Sequence, residues 1–111
     1  MAGLFDIFKR KKDESSPEYR RAFAKRLENK HIRYVSHRED DTDTVIGKDG
    51  YITINADNQL LLSCEGHVVF RADIDQLIMG ELMSLEGVIL EAFDYEAGKD
   101  RKVIAYYKYY R

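Results

Sequence analysis

One cysteine, one proline and no long apolar run set the first limits on this 111-residue chain. With Cys64 alone, no internal disulfide can form, which fits a reducing compartment. No stretch approaches the roughly 18 apolar residues that a spanning helix needs. A secretory signal has cations before a longer apolar stretch, whereas here a short apolar cluster precedes its cations, so the chain is expected to stay in the cytoplasm. Met-Ala-Gly puts Gly3 one place too late for N-myristoylation, which needs glycine directly after methionine. At 44% hydrophobic content, 111 residues suffice for one core and are too few for two.

Catalytic constellations are missing as well. His31, His37 and His67 show no metal-ligand spacing with one another or with Cys64. The glycines are scattered at turns, with no phosphate-cradling loop opening a helix. No two carboxylates sit where one would be held protonated and the other ionised. Cys64 shares strand parity with Leu60 and Leu62 and reads as a small core hydrophobe; His67 follows across a turn, without a third group to orient it. The acidic stretch 39–44 (EDDTDT) reads as a solvated loop, because Val45 and Ile46 stand where a calcium loop would continue its ligands. No enzyme activity, cofactor or metal is expected.

What is present is most specific at the front. Leu4, Phe5, Ile7 and Phe8 come directly before Lys9, Arg10, Lys11 and Lys12. On a helical wheel Met1 and those four apolar side chains fall within an arc of roughly 160°, with Asp6 opposite, the pattern of an interfacial anchor. Charge is divided along the chain: up to Arg38 there are 11 Lys/Arg against 5 Asp/Glu, and from Glu39 onward 7 against 15. A basic front on an acidic body can be drawn to an anionic surface while the body is held off it.

Residues 1–16 are read as this segment and a linker, and 17–111 as a single α+β domain. Ser16 is a candidate N-cap, Pro17 suits the first helical position and Glu18 the positive end of the dipole. The helix is predicted over 17–29, with Tyr19, Phe23 and Leu27 as its apolar stripe, Ala22 beside them, and Arg20, Arg21, Lys25 and Arg26 on a solvated basic face. From His31 the period changes to two, predicting strands near 32–36, 51–55, 60–64, 67–72, 88–94 and 103–110. Turn residues separate them at 48–50, 56–59, 65–66, 85–87 and 97–100. Connections this short allow only antiparallel neighbours, so the expected sheet is a meander of about six strands, a half-barrel with one packing helix. Residues 73–84 read as a loop followed by a strand. In the last strand Tyr106, Lys108 and Tyr110 share the face expected to be outside, a candidate ligand surface where two rings flank a cation. A strand at the chain end also suggests an edge through which copies pair into a homo-oligomer.

Gly3-Leu4-Phe5-Asp6 followed by Phe8-Lys9-Arg10-Lys11-Lys12 resembles the GLFD-x-F-K starts of many small bacterial cytoplasmic proteins, which are similar to short membrane-targeting helices. The rhythm from Gly50-Tyr51-Ile52-Thr53 through Leu60-Leu61-Leu62, Val69-Phe70 and the run from Leu82 to Val88 to Ala105-Tyr106-Tyr107 resembles bacterial PH/GRAM-like β-barrels. It departs from them in stopping on a strand where they place a C-terminal helix. The resemblance implies a binding module and supplies no ligand-binding residue. The leading expectation is a non-enzymatic cytoplasmic adaptor, peripheral at the inner membrane face through residues 1–12. Two alternatives stand beside it: a nucleic-acid module using the basic helix and the C-terminal tyrosines, which the acidic body opposes, and a homo-oligomeric scaffold whose front segment is a protein contact.

Overall fold

A computed structural model describes residues 16–108 of the chain. The segment carrying Leu4 to Lys12, and Tyr110 at the other end, lie outside the described residues.

Helix α1 runs Pro17–Leu27 and starts as its sequence dictates: the Ser16 hydroxyl accepts from the Tyr19 N–H at 3.1 Å, with Pro17 and Glu18 in the first turn. It ends two residues before the expected boundary. Asn29 turns left-handed at φ 69° and donates its N–H to the Ile52 carbonyl at 2.7 Å, so the backbone leaves the helix to join the sheet. Phe23, Ala24 and Leu27 are the buried face; Ala22, expected beside them, is exposed. Arg20 is not solvated either, as described below.

Seven strands follow, all paired antiparallel: β1 His31–Glu39, β2 Thr42–Ile54, β3 Gln59–Cys64, β4 His67–Asp73, β5 Ile78–Glu81, β6 Gly87–Asp94 and β7 Lys99–Tyr107. Their order is β4-β3-β2-β1-β7-β6-β5, in a curled sheet that forms a half-barrel with one helix. The expected α+β class, the antiparallel pairing and the half-barrel are therefore present. The single six-strand meander is corrected to two meanders, of four and three strands, joined where β7 pairs β1. The cause lies in the weakest stretch of the sequence pattern. After β4 a 3-10 turn, Ile74–Gln76, sinks Ile74 and Leu77 into the core and carries the chain to the far edge, where β5 begins.

Two expected turns are corrected in the same way. Residues 39–44 are not a loop: Glu39 pairs Thr42 across Asp40 and Asp41, at φ 50° and 64°, a two-residue turn with both central residues left-handed that matches the twist of a hairpin. Residues 48–50 are no turn but the middle of β2, which kinks where Asp49 adopts φ 52°. Glycine is required beside it. A Cβ on Gly50 would stand 1.9 Å from the Ser63 carbonyl oxygen and 2.8 Å from Cys64 Sγ.

The core joins the α1 face to Ile32, Val35, Ile52, Leu60, Leu62, Phe70, Val88, Leu90, Val103 and their neighbours. Cys64 is buried among them, and burial pushes its thiol pKa up, away from a reactive thiolate. On β7 the expected inner face, Val103, Ala105 and Tyr107, is inside. Ile104 on the other face is fully buried too, in register between Ser36 and Ile89.

Candidate functional site

The C-terminal surface read from the sequence is only partly assembled. Tyr106 and Lys108 follow one parity, but their side chains engage different neighbours. Tyr106 is half-buried and stacks on Tyr34 with centroids 4.5 Å apart, close to the exposed pair in which Arg38 grips both Asp43 oxygens at 2.8 and 3.1 Å. Burial, first, and the Tyr34 hydroxyl raise the Tyr106 phenol. Lys108 instead lies 4.0 Å from Asp49. That carboxylate already meets His31 Nε2 at 2.8 Å, which holds its pKa below the usual carboxylate range, and the His31 ring stacks on Tyr51. So the cation is attached to an acidic neighbour, and one face of the tyrosine is covered. The last described strand is not the expected sheet edge: β6 pairs it over Lys99–Tyr106 and β1 over Val103–Tyr107, and the edges are β4 and β5.

The basic helix is tied to the 3-10 turn. Arg20 donates from Nε to the Leu77 carbonyl at 2.9 Å and from Nη1 to that of Asp75 at 2.7 Å. Arg21 forks onto the Asp75 carboxylate at 3.1 and 2.8 Å, and this, with Asn58, holds Asp75 below its ordinary pKa. Two of the four helix cations are thereby used in holding the helix on the fold.

Where the curled sheet nearly closes, β4 meets the β6–β7 hairpin across a polar seam. Asp94, fully buried, accepts from the Arg71 N–H at 3.0 Å, from the Glu96 N–H at 2.9 Å and from Arg101 Nη1 at 2.9 Å. The Tyr95 N–H donates to the Arg71 carbonyl at 2.8 Å, and its hydroxyl to Asp73 Oδ2 at 2.7 Å, a bond that raises the phenol above its usual value. Gln59 donates to the other Asp73 oxygen.

Beside this seam opens a groove of about 400 Å³. Its apolar lining is Ala92 with Ile78, Phe93 and Tyr95, the last three exposed to 61%, 44% and 44%, so three of the seven large exposed hydrophobics among the described residues surround one depression. Phe93 and Tyr95 meet edge to face at 5.1 Å. Asp73, Glu91 and Asp100 supply its charge, and no cation among the described residues lines it. Sequence reasoning missed this place, although a signal existed: Leu90 and Asp94 point inward, so Glu91, Phe93 and Tyr95 share the outward parity of β6 and its turn. Also missed was the β5–β6 turn, where Met83 is wholly exposed and Leu85, 58% exposed, sits at φ 62°.

Among the described residues no group of three or more His, Cys, Asp or Glu could hold a metal, and no helix is long and apolar enough to cross a membrane. No protein-family model matches the chain, and no curated protein matches it in sequence.

Proposed function

We propose that this chain is a non-enzymatic adaptor that binds an anionic membrane surface reversibly through residues 1–12, with the folded domain as the part presented there. The observation that carries the reading is the sequence of Leu4, Phe5, Ile7 and Phe8 directly before Lys9, Arg10, Lys11 and Lys12. Four cations near an anionic leaflet contribute about 1 kcal/mol each. Each apolar side chain adds at most about 1.5–3 kcal/mol on full burial. Against these stands the ordering of a helix shorter than about 12–15 residues, which is marginal alone in water. The balance is reversible attachment at the inner membrane face. The half-barrel is read as PH/GRAM-like, with α1 serving from the N-terminal side in place of that family's C-terminal helix.

The nucleic-acid alternative is weaker, because Arg20 and Arg21 already hold the 3-10 turn. The test is vesicle co-sedimentation of the full chain with anionic and with neutral lipid at two salt concentrations. Binding should require anionic lipid, weaken with salt, and fall by up to about a hundredfold in Phe5→Asp/Phe8→Asp, at about 1.5 kcal/mol per ring. Equal sedimentation of that variant and the native chain would overturn the reading and make residues 1–12 a protein contact.

A further inference from the structure

We infer that the acidic, aromatic groove beside the β4/β6 seam is a docking site for the chain's own front segment, Leu4 to Lys12, and so competes with the membrane for it. This rests on the reading of that segment as a membrane anchor, and it concerns where the segment resides when no membrane is present.

Three observations point to this occupant. The first is composition. The groove offers Ile78, Phe93 and Tyr95 as apolar surface with Asp73, Glu91 and Asp100 around them. The segment offers large apolar side chains followed by four contiguous cations. Both the apolar and the charged halves match; Tyr95 already has Arg71 over its ring at 5.5 Å, so Phe93, beside Glu91 and Asp100, is the ring at which a further cation gains from both.

The second is position. Ser16, the first described residue, is bound to α1 through its carbonyl and the Arg20 N–H at 3.0 Å. The Arg20 guanidinium reaches the Leu77 carbonyl, and the next residue, Ile78, lines the groove, as does Gln76. The chain therefore enters the fold beside the 3-10 turn that borders the groove. Residues 9–15 reach about 23 Å when extended, at ~3.3 Å per residue, which sets how far from Ser16 the four cations can extend. The third is tethering: a weak site becomes well occupied when its ligand is on the same chain, because a short linker sets a millimolar effective concentration.

The experiment uses the full-length chain free of lipid. Backbone amide NMR shifts of Ile78, Glu91, Phe93, Tyr95 and Asp100 are compared between the native protein and Phe5→Asp/Phe8→Asp. These amides should move, those of the Glu65–Gly66 turn should not, and the differences should not depend on protein concentration. Unmoved groove amides would overturn the inference, and so would differences that grow with concentration, since the segment would then sit on a second copy. A groove variant, Glu91→Gln/Phe93→Ser/Asp100→Asn, changes exposed residues and provides the reverse arm. If the groove holds the segment about 90% of the time, this variant should bind anionic vesicles about tenfold more tightly than the native chain. Unchanged affinity, where the native chain binds vesicles, would refute the competition. If the native chain binds no vesicles while the groove amides still respond to Phe5→Asp/Phe8→Asp, the membrane reading fails and the docking stands.

Discussion

Replacing Asp94 by alanine should destabilise the fold by about 3–5 kcal/mol, the range for stripping one partner from a buried ion pair. The carboxylate is fully buried and Arg101 is only 12% exposed, so solvent cannot take over the charge that remains. Two backbone donors are orphaned with it, that of Arg71, one of the links between β4 and the β6–β7 hairpin, and that of Glu96 within the hairpin turn. A domain of this size has about 5–15 kcal/mol of stability in all, so the variant should be close to unfolding. Urea titration followed by circular dichroism would show it: with a slope of about 1–1.5 kcal/mol per molar, the midpoint should fall by about 2–5 M. Asp94→Ala/Arg101→Leu should recover a substantial part of the loss, because the stranded guanidinium disappears together with an Nε that has no hydrogen-bond partner among the described residues. A loss below about 1 kcal/mol in Asp94→Ala, or a double variant no more stable than the single one, would refute the view that burial of the unpaired charge sets the magnitude.

The Tyr107 hydroxyl is buried without a hydrogen-bond partner among the described residues, and burial pushes its pKa up to about 12. Unfolding therefore releases a proton above the ordinary phenol pKa of about 10, and stability present below that pH should be lost as pH rises toward 12. Tyr107→Phe should leave neutral-pH stability unchanged or raised by about 1 kcal/mol and remove this part of the alkaline loss, read by urea titration across the same pH range. Gly50→Ala forces its Cβ onto the Ser63 carbonyl and should destabilise by about 1–3 kcal/mol or more. Gly80→Ala meets nothing within 4 Å and should stay within about 1 kcal/mol, as thermal melts of the two would show.

The helix and most strands were legible because their signals are local. Ser16, Pro17 and Glu18 specify a helix start whatever lies around them, and period-two runs such as Leu60, Leu62 and Cys64 specify a buried face. The misreadings share one cause: the same residues serve turns and strands, and pairing decides between them. Asp40-Asp41 and Asp49-Gly50 both carry turn chemistry, yet the first reverses the chain and the second kinks a strand that continues, because Tyr34 is available opposite Lys48 and Ile32 opposite Gly50. The crossing from β4 to β5 left only a short trace, the helical-turn spacing of Ile74, Leu77 and Ile78, since Ile74 and Leu77 reach the core from a 3-10 turn and not from a repeating face. The groove was hidden for a related reason. Asp73, Ile78, Phe93 and Asp100 are scattered in sequence and meet only after that crossing brings the two meanders edge to edge.

The basic half of the sequence is not one surface once folded. Arg20 and Arg21 are bound to the 3-10 turn and Arg38 to Asp43, while Arg26, Lys30 and Arg33 lie over the rings of Phe23, Tyr107 and Tyr34 at 4.7, 5.2 and 5.3 Å. These cations hold the helix and cover aromatic faces of the domain. A polyanion would have to compete with two backbone carbonyls for Arg20 and with exposed carboxylates for Arg21 and Arg38, so the first half's excess of positive charge overstates what the domain offers freely. Lys9 to Lys12 are the chain's only four contiguous cations, and they come before the helix cap, on the far side of a polar linker. The division the charge pattern implies thus has a physical basis: cations within the domain stabilise it, and the concentrated run precedes it. In the proposed scheme, an anionic surface and the acidic groove then contend for the same four residues.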